Sequence, residues 1–146
     1  MRIQVVRRLE FESIWPYEFE SPEQKGYPDL FENAVFWILY EEDDPIAYTC
    51  SASVDLFTIV GNTYVRKEHR GKGYHSKILS ERNKRLSPRP KVCVLNPIEN
   101  TPVTHLENVV RKLGYTRLTS WDDAEDIMLP HTWDSHFKDR EVWRLH

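Results

Sequence analysis

The residues of this chain best suited to chemistry lie together, in Arg70-Gly71-Lys72-Gly73-Tyr74-His75. Two glycines let the backbone bend sharply and leave its N–H groups uncovered by side chains. Arg70 and Lys72 add positive charge. His75 adds an imidazole that either donates a hydrogen bond to a bound anion or crowds it. A helix beginning at Ser76-Lys77-Ile78-Leu79 would contribute unpaired donors and about half a positive charge at its N-terminus. Such a turn suits an anion the size of a pyrophosphate. The plain alternative is a solvated strand-to-helix turn, because basic loops are common. Arg66, Lys67, Arg70, Lys72, Lys77, Arg82, Lys84 and Arg85 concentrate positive charge in a chain whose net charge is −3. A solvated helix face and an attraction for phosphates are compatible readings of that cluster.

The elements that must position this turn can be read from spacing. Ile3 to Arg8 alternates as a first strand. Between residues 10 and 32, Phe11, Ile14, Trp15 and Phe19 have helical spacing, broken by Pro16, Pro22, Gly26 and Pro28. One or two short helices joined by an irregular loop result. Val35–Tyr40 and Ile46–Val54 form an antiparallel pair around the polar turn 41–45. Leu56–Val65 is the next strand, interrupted by Gly61-Asn62, which suits a bulge or a close backbone approach. The helix Ser76–Leu86 turns Ile78, Leu79 and Leu86 inward and its charges outward, until Pro88 and Pro90 stop it. Val92–Leu95 reads as a short strand buried on both faces. A second helix starts at Thr101-Pro102, carries the stripe Leu106, Val109, Val110 and Leu113, and ends at Gly114. Tyr115–Thr119 and Asp126–Leu129 read as a closing hairpin.

Composition limits the function classes. The chain has 146 residues, enough for one domain; 40% are hydrophobic, 29% charged and 12% aromatic, an ordinary ordered, soluble balance. A pI near 6.1 demands no nucleic-acid partner. Cys50 and Cys93 lie in apolar strand-like runs without metal-ligand spacing, and read as buried thiols of a reducing cytosol. The N-terminus lacks the apolar run of a signal peptide, and no stretch approaches the ~20 apolar residues of a membrane span. A cytoplasmic location with no membrane contact follows. The tail after Pro130 carries His131, Trp133, His136, Phe137, Trp143 and His146, too irregularly spaced for a metal site. It reads as an extra strand or helix closing an acceptor site, or as a dimer contact. Its aromatics, with Lys138, Arg140 and Arg144, also suit stacking on a nucleobase.

Arg70-Gly71-Lys72-Gly73, between a strand and a helix, resembles the coenzyme A loop of the GNAT N-acetyltransferase superfamily, Arg/Gln-x-x-Gly-x-Gly/Ala. His75 departs from the last position of that pattern. Lys112-Leu113-Gly114-Tyr115 resembles a second segment of the superfamily, Lys-Leu-Gly-Phe, and the element order β, α, βββ, α, β, α, ββ matches as well. The resemblance spans roughly residues 34 to 130. It implies an α+β (three-layer α/β) GNAT-like acyl-CoA N-acyltransferase fold. Its mixed sheet of six to seven strands would be splayed between strands 4 and 5 and flanked by helices. A single domain, 1–146, would have its core at about 34–130 and a tail at 131–146.

The same resemblance implies acetyl-CoA as co-substrate and direct transfer of its acetyl group to an amine of a small molecule or peptide. The pantetheine arm would pair with the backbone of Thr63, Tyr64 and Val65. The pyrophosphate would rest on Arg70, Gly71, Lys72, Gly73, Tyr74 and His75, and Asn100 would touch the pantetheine. The superfamily's usual proton-donating tyrosine falls at Val110, which cannot donate. Asn62, Tyr64 and Asn100 are the remaining catalytic candidates, with Asn96 and His105 behind them. Glu68 and His69 read as solvent-facing. Tyr40, Tyr48 and Ser51 can organise a water chain, but read first as packed strand residues. Trp15, Tyr17, Phe19, Tyr27 and Phe31 can line an acceptor pocket, with packing on the sheet the simpler role. Two other functions stay open: a non-catalytic binding module, favoured by His75 and Val110, and a nucleic-acid-modifying enzyme on the same fold. Dimers are usual among similar proteins.

Overall fold

Glycine and proline punctuation and the alternation of apolar residues place most element boundaries within two residues of those expected. The computed structural model describes residues 1–15, 29–95 and 103–146. The chain divides into two compact units, residues 1–52 with 60–87, and residues 53–59 with 88–146.

The first unit holds β1 (Arg2–Arg7), α1 (Arg8–Ile14), β2 (Val35–Glu41), most of β3 (Asp44–Val54), most of β4 (Phe57–Val65) and α2 (Tyr74–Arg85). β1 runs antiparallel to β2, pairing Ile3 with Leu39 and Val5 with Trp37. β2 runs antiparallel to β3, pairing Phe36 with Cys50 and Ile38 with Tyr48, and its register slips between Leu39 and Tyr40. Consecutive residues Phe36 to Tyr40 are all buried, as in a strand covered on both faces. On α1, Phe11 stacks on Phe36 at 4.1 Å and meets Tyr48 edge-on at 4.8 Å, and Trp15 meets Tyr48 at 4.9 Å. Trp15 and Phe31 are buried here, so the packing role is the observed one. Tyr17, Phe19 and Tyr27 lie outside the described residues. The expected interruption of β4 is not a break, since the strand runs through Gly61-Asn62, but Asn62 there adopts a left-handed backbone with φ 51°. At Gly61 a Cβ would lie 3.3 Å from Phe31 Cζ, which is the close approach that glycine permits.

The second unit holds the start of β4, β5 (Lys91–Leu95), α3 (Val103–Lys112), β6 (Thr116–Leu118) and β7 (Glu141–Leu145). A short helix, Pro130–Thr132, runs into a wider turn, Trp133–Phe137. β4 and β5 are parallel, registered through Thr58–Lys91 and Ile59–Val92. This short pairing is what a splay between those strands requires. β5 runs antiparallel to β7, and β7 antiparallel to β6. The strand order is β1-β2-β3-β4-β5-β7-β6, a seven-stranded mixed sheet.

Three expectations are corrected. Asp126–Leu129 is not a strand. The N–H groups of Ile127 and Met128 donate to Ala124 O, and that of Leu129 to Asp55 Oδ2, so they are spent on turns instead of a ladder. The partner of β6 is the tail strand β7, which brings buried Val142 and Trp143 into the sheet. β5 is buried at Lys91 and Val92 but half-exposed from Cys93 to Leu95, so it is covered on both faces over its first part only. α2 begins two residues earlier than expected and turns Arg82 inward with Ile78 and Leu79.

Candidate functional site

The segment that leaves β4 lies wholly in the first unit and is clamped by acids of the β2–β3 turn. Arg66 is buried, and its Nη1 donates to both oxygens of Asp44 at 3.0 and 2.9 Å. It also pairs with Glu68. His69 does not face solvent: its side chain is mostly buried, with Nδ1 3.6 Å from Glu41. Glu68 is exposed. The Tyr74 hydroxyl donates to Glu41 Oε2 at 3.2 Å, and desolvation together with this bond pushes its phenol above the ordinary value. Glu41 and Asp44 therefore fix both ends of the stretch 66–74.

Within that stretch Gly71 and Gly73 have φ 77° and 82°, and a Cβ on either would find no atom of the described residues within 4 Å. Glycine is required there by backbone conformation, not by packing, and the face it leaves is open. Gly73 is the N-cap of α2 and makes no side-chain capping bond; Lys77 N–H closes the first turn onto Gly73 O at 3.1 Å. The N–H groups of Tyr74, His75 and Ser76 precede any carbonyl that α2 offers, the general condition of a helix start. Lys72 is exposed beside them, and His75 is the half-exposed second residue of the helix. Arg70 folds back: its Nε donates to Val65 O at 2.9 Å and its guanidinium lies 5.2 Å from the centre of the Tyr64 ring. The helix start, its dipole and the exposed Lys72 meet at this end of β4, a combination that attracts anions in general, while Arg70 is engaged with Val65 O and the Tyr64 ring.

The stretch Gly61–Thr63 of β4 is braced by a polar knot around buried Thr49 and Arg82. Arg82 Nη1 donates to Thr49 Oγ1 at 2.7 Å. Thr49 Oγ1 also lies 2.8 Å from Thr63 Oγ1 and 3.3 Å from Gly61 O. If Thr63 donates to it, Thr49 accepts twice and gives its own proton to Gly61, so its full capacity is used. Thr49, Arg82 and the Glu41–Asp44 clamp were not read from the sequence. Arg82 had a signal: it falls four residues after Ile78 and four before Leu86, on the apolar stripe of α2.

The other candidates separate. Thr63, Tyr64 and Val65 form the end of β4, and Tyr64 is buried against Trp15 and Tyr48 at ring distances of 6.2 and 6.0 Å. Asn62 Nδ2 is shut off from solvent and has no hydrogen-bond partner among the described residues. Tyr40 donates to Gln4 Oε1 at 2.8 Å, and Ser51 accepts from Trp37 Nε1 at 2.9 Å, so both serve the sheet. Val110 is buried and His105 is exposed on α3. Burial pushes the Cys50 thiol far up. Asn96 and Asn100 lie outside the described residues.

The sequence pattern of the acetyltransferase (GNAT) family matches residues 5–83, more than half of the chain. Among curated proteins none matches. Among solved structures, the ribosomal-protein-S18-alanine N-acetyltransferase of Escherichia coli superposes with a TM-score of 0.63 at 12% identity, covering 99% of this chain and 92% of that one. A Bacteroides thetaiotaomicron protein assigned to the GNAT acetyltransferases gives 0.62 at 17% identity, covering 99% and 86%. Escherichia coli ElaA gives 0.61 at 14% identity over the whole of both chains. The seven-stranded sheet with its short parallel pair is the fold these proteins share. By sequence pattern and by fold, this chain belongs to the GNAT acetyltransferase family.

Proposed function

We propose that this protein is an acetyl-CoA-dependent N-acetyltransferase that transfers the acetyl group directly to an amine of a small molecule or peptide. The observation that carries the reading is the open, left-handed Gly71-Lys72-Gly73 turn at the start of α2, next to the end of β4. In this reading the amides of residues 71–75 and the side chains of Arg70 and Lys72 hold the pyrophosphate. The backbone of Thr63, Tyr64 and Val65 pairs with the pantetheine arm as an added strand would. Acetyl-CoA supplies the activated acyl group, and the chain's share is to hold it and to position the amine. A cytoplasmic location remains part of this reading, which the fully buried Cys50 thiol suits.

Isothermal titration with acetyl-CoA tests this reading. The wild type should bind at micromolar levels. Gly73→Glu, which puts a carboxylate on the open face, should weaken binding at least ~100-fold, equivalent to about 2.7 kcal/mol. Circular dichroism checks that the variant is folded. A wild type that does not bind removes the assignment.

A second reading is favoured by Val110, buried where the family commonly has a tyrosine that gives up its proton. It makes the chain a binding module that holds acyl-CoA without transfer. Binding with no thiol release across a panel of amines would select it.

A further inference from the structure

Gly71 and Gly73 put two residues of wide conformational freedom into the turn that would meet an anion. Both are left-handed, and glycine loses more freedom on ordering than any other residue. Such a turn binds tightly only if its ends are already held, because ordering it counts against affinity. One carboxylate oxygen stands at both ends. Glu41 Oε2, at the close of β2, accepts from the Tyr74 hydroxyl at 3.2 Å and lies 3.6 Å from His69 Nδ1. His69 is the residue before Arg70, and Tyr74 the residue after Gly73. The two rings also lie near each other, with centroids 6.3 Å apart. Desolvation first, and then Glu41, holds the Tyr74 phenol above its ordinary value of 10.0, so it keeps the proton it donates throughout the neutral range.

The charge of Glu41 has the wrong sign for this place. A carboxylate near a phosphate site weakens phosphate binding by Coulomb repulsion. We infer that Glu41 is a positioning residue: through the Tyr74 hydroxyl, with His69 beside it, it holds the Arg70–Gly73 turn in the shape that takes the diphosphate of the acyl donor, and this outweighs its repulsion of that ligand. The role rests on the acyl-CoA reading above, and it concerns binding of the donor, not the chemistry of transfer.

The two effects of Glu41 have opposite signs, so substitutions separate them. Glu41→Ala removes both acceptor and charge. Glu41→Gln removes the charge but keeps an oxygen for the Tyr74 hydroxyl. Glu41 is exposed and Tyr74 half-exposed, so the variants should fold, as thermal melting checks. In calorimetric titration with CoA, Glu41→Ala and Tyr74→Phe should each bind about three- to tenfold more weakly than wild type, the range of one hydrogen bond. Glu41→Gln should bind as tightly as wild type or more so. The same factors should appear with acetyl-CoA, since both ligands carry the diphosphate. Glu41→Ala combined with Tyr74→Phe should lose no more than about twofold beyond Glu41→Ala alone, because both remove one bond. In the ligand-free protein, amide exchange at residues 71–76 should quicken in Glu41→Ala and Tyr74→Phe while that of β2 and β3 stays unchanged, a pattern that a general loss of stability does not produce. Affinity unchanged or raised in Glu41→Ala overturns the inference. So do Glu41→Gln as weak as Glu41→Ala, losses that add in the double variant, or unchanged exchange at 71–76. Each of these leaves the acyl-CoA reading standing. A wild type that binds neither CoA nor acetyl-CoA overturns both.

Discussion

Gly73 and Gly114 have nearly the same backbone, φ 82° and 94°, but opposite surroundings. Gly114 ends α3. Its N–H donates to Arg111 O and the next N–H to Val110 O, and a Cβ there would sit 3.3 Å from Leu145 Cδ1. Gly73 begins α2 and faces nothing within 4 Å. The same contrast separates Asp55 and Asn62, at φ 43° and 51°. The Asp55 carboxylate accepts from Leu129 N–H at 3.0 Å and from the Thr132 hydroxyl at 2.7 Å, whereas Asn62 Nδ2 has no partner. In the second unit, the unusual conformations at Asp55 and Gly114 are answered by the chain itself. In the first unit, Asn62 Nδ2 is closed off without a partner among the described residues, and a Cβ at Gly71 or Gly73 would meet no described atom within 4 Å. Special backbone that the fold does not use is a better pointer to a ligand than special backbone alone.

Substitutions can break this contrast. The largest stability effect is expected at Arg82, which belongs to the compensated side although it lies in the first unit. Arg82→Ala removes a fully buried side chain and its bond to Thr49, and should lower unfolding free energy by about 3 kcal/mol in urea denaturation. A loss under about 1 kcal/mol would mean that the knot does not brace Gly61–Thr63 of β4. Next come the paired glycines. Gly114→Ala meets both the left-handed backbone and Leu145, and should cost about 2 kcal/mol; Gly73→Ala meets the backbone alone, and should cost about 1 kcal/mol. Equal losses would show that the face over Gly73 is not open.

The smallest effect sharpens the picture of the second unit. Hydrogen bonding to the Arg144 guanidinium, through contacts of 2.8 Å, holds the Asp126 carboxyl below its ordinary value of 3.8, against some desolvation. A depressed folded value means that the pair stabilises fully above the unfolded value near 3.8 and loses its contribution as pH falls through the lower folded value. Asp126 is largely exposed, so the contribution should be no more than about 1 kcal/mol. Asp126→Asn should be that much less stable at pH 7, and the difference from wild type should close as pH falls through the lowered folded value. A difference that persists in acid would assign the loss to something other than the ion pair.

Much of the fold could be read locally. The aromatic and β-branched run Val35–Tyr40, its partner Ile46–Val54, the special backbone at Gly61-Asn62 and the glycine ending α3 each depend on neighbours in sequence, and each lies where local pattern put it. What went unread depends on distance. Arg82 sits on an apolar stripe, but only Thr49, thirty-three residues away, makes its burial acceptable. His69 was taken for a solvent residue because Glu41 is remote in sequence. Asp126–Leu129 has strand-like residue types, yet its N–H groups found acceptors at Ala124 and Asp55 before any strand could claim them.

By itself, then, the sequence determined where the chain must bend and which residues can tolerate the bend, because glycine, proline and periodicity act over a few residues. It determined the basic turn at Arg70–His75 and the family to which that turn belongs. Only the tertiary structure decided which special conformations are used up inside the protein and which face outward. That depends on whether a polar atom finds its partner across strands and helices. The partner of β6 was settled in the same way, by hydrogen bonds spanning more than twenty residues that no local pattern encodes.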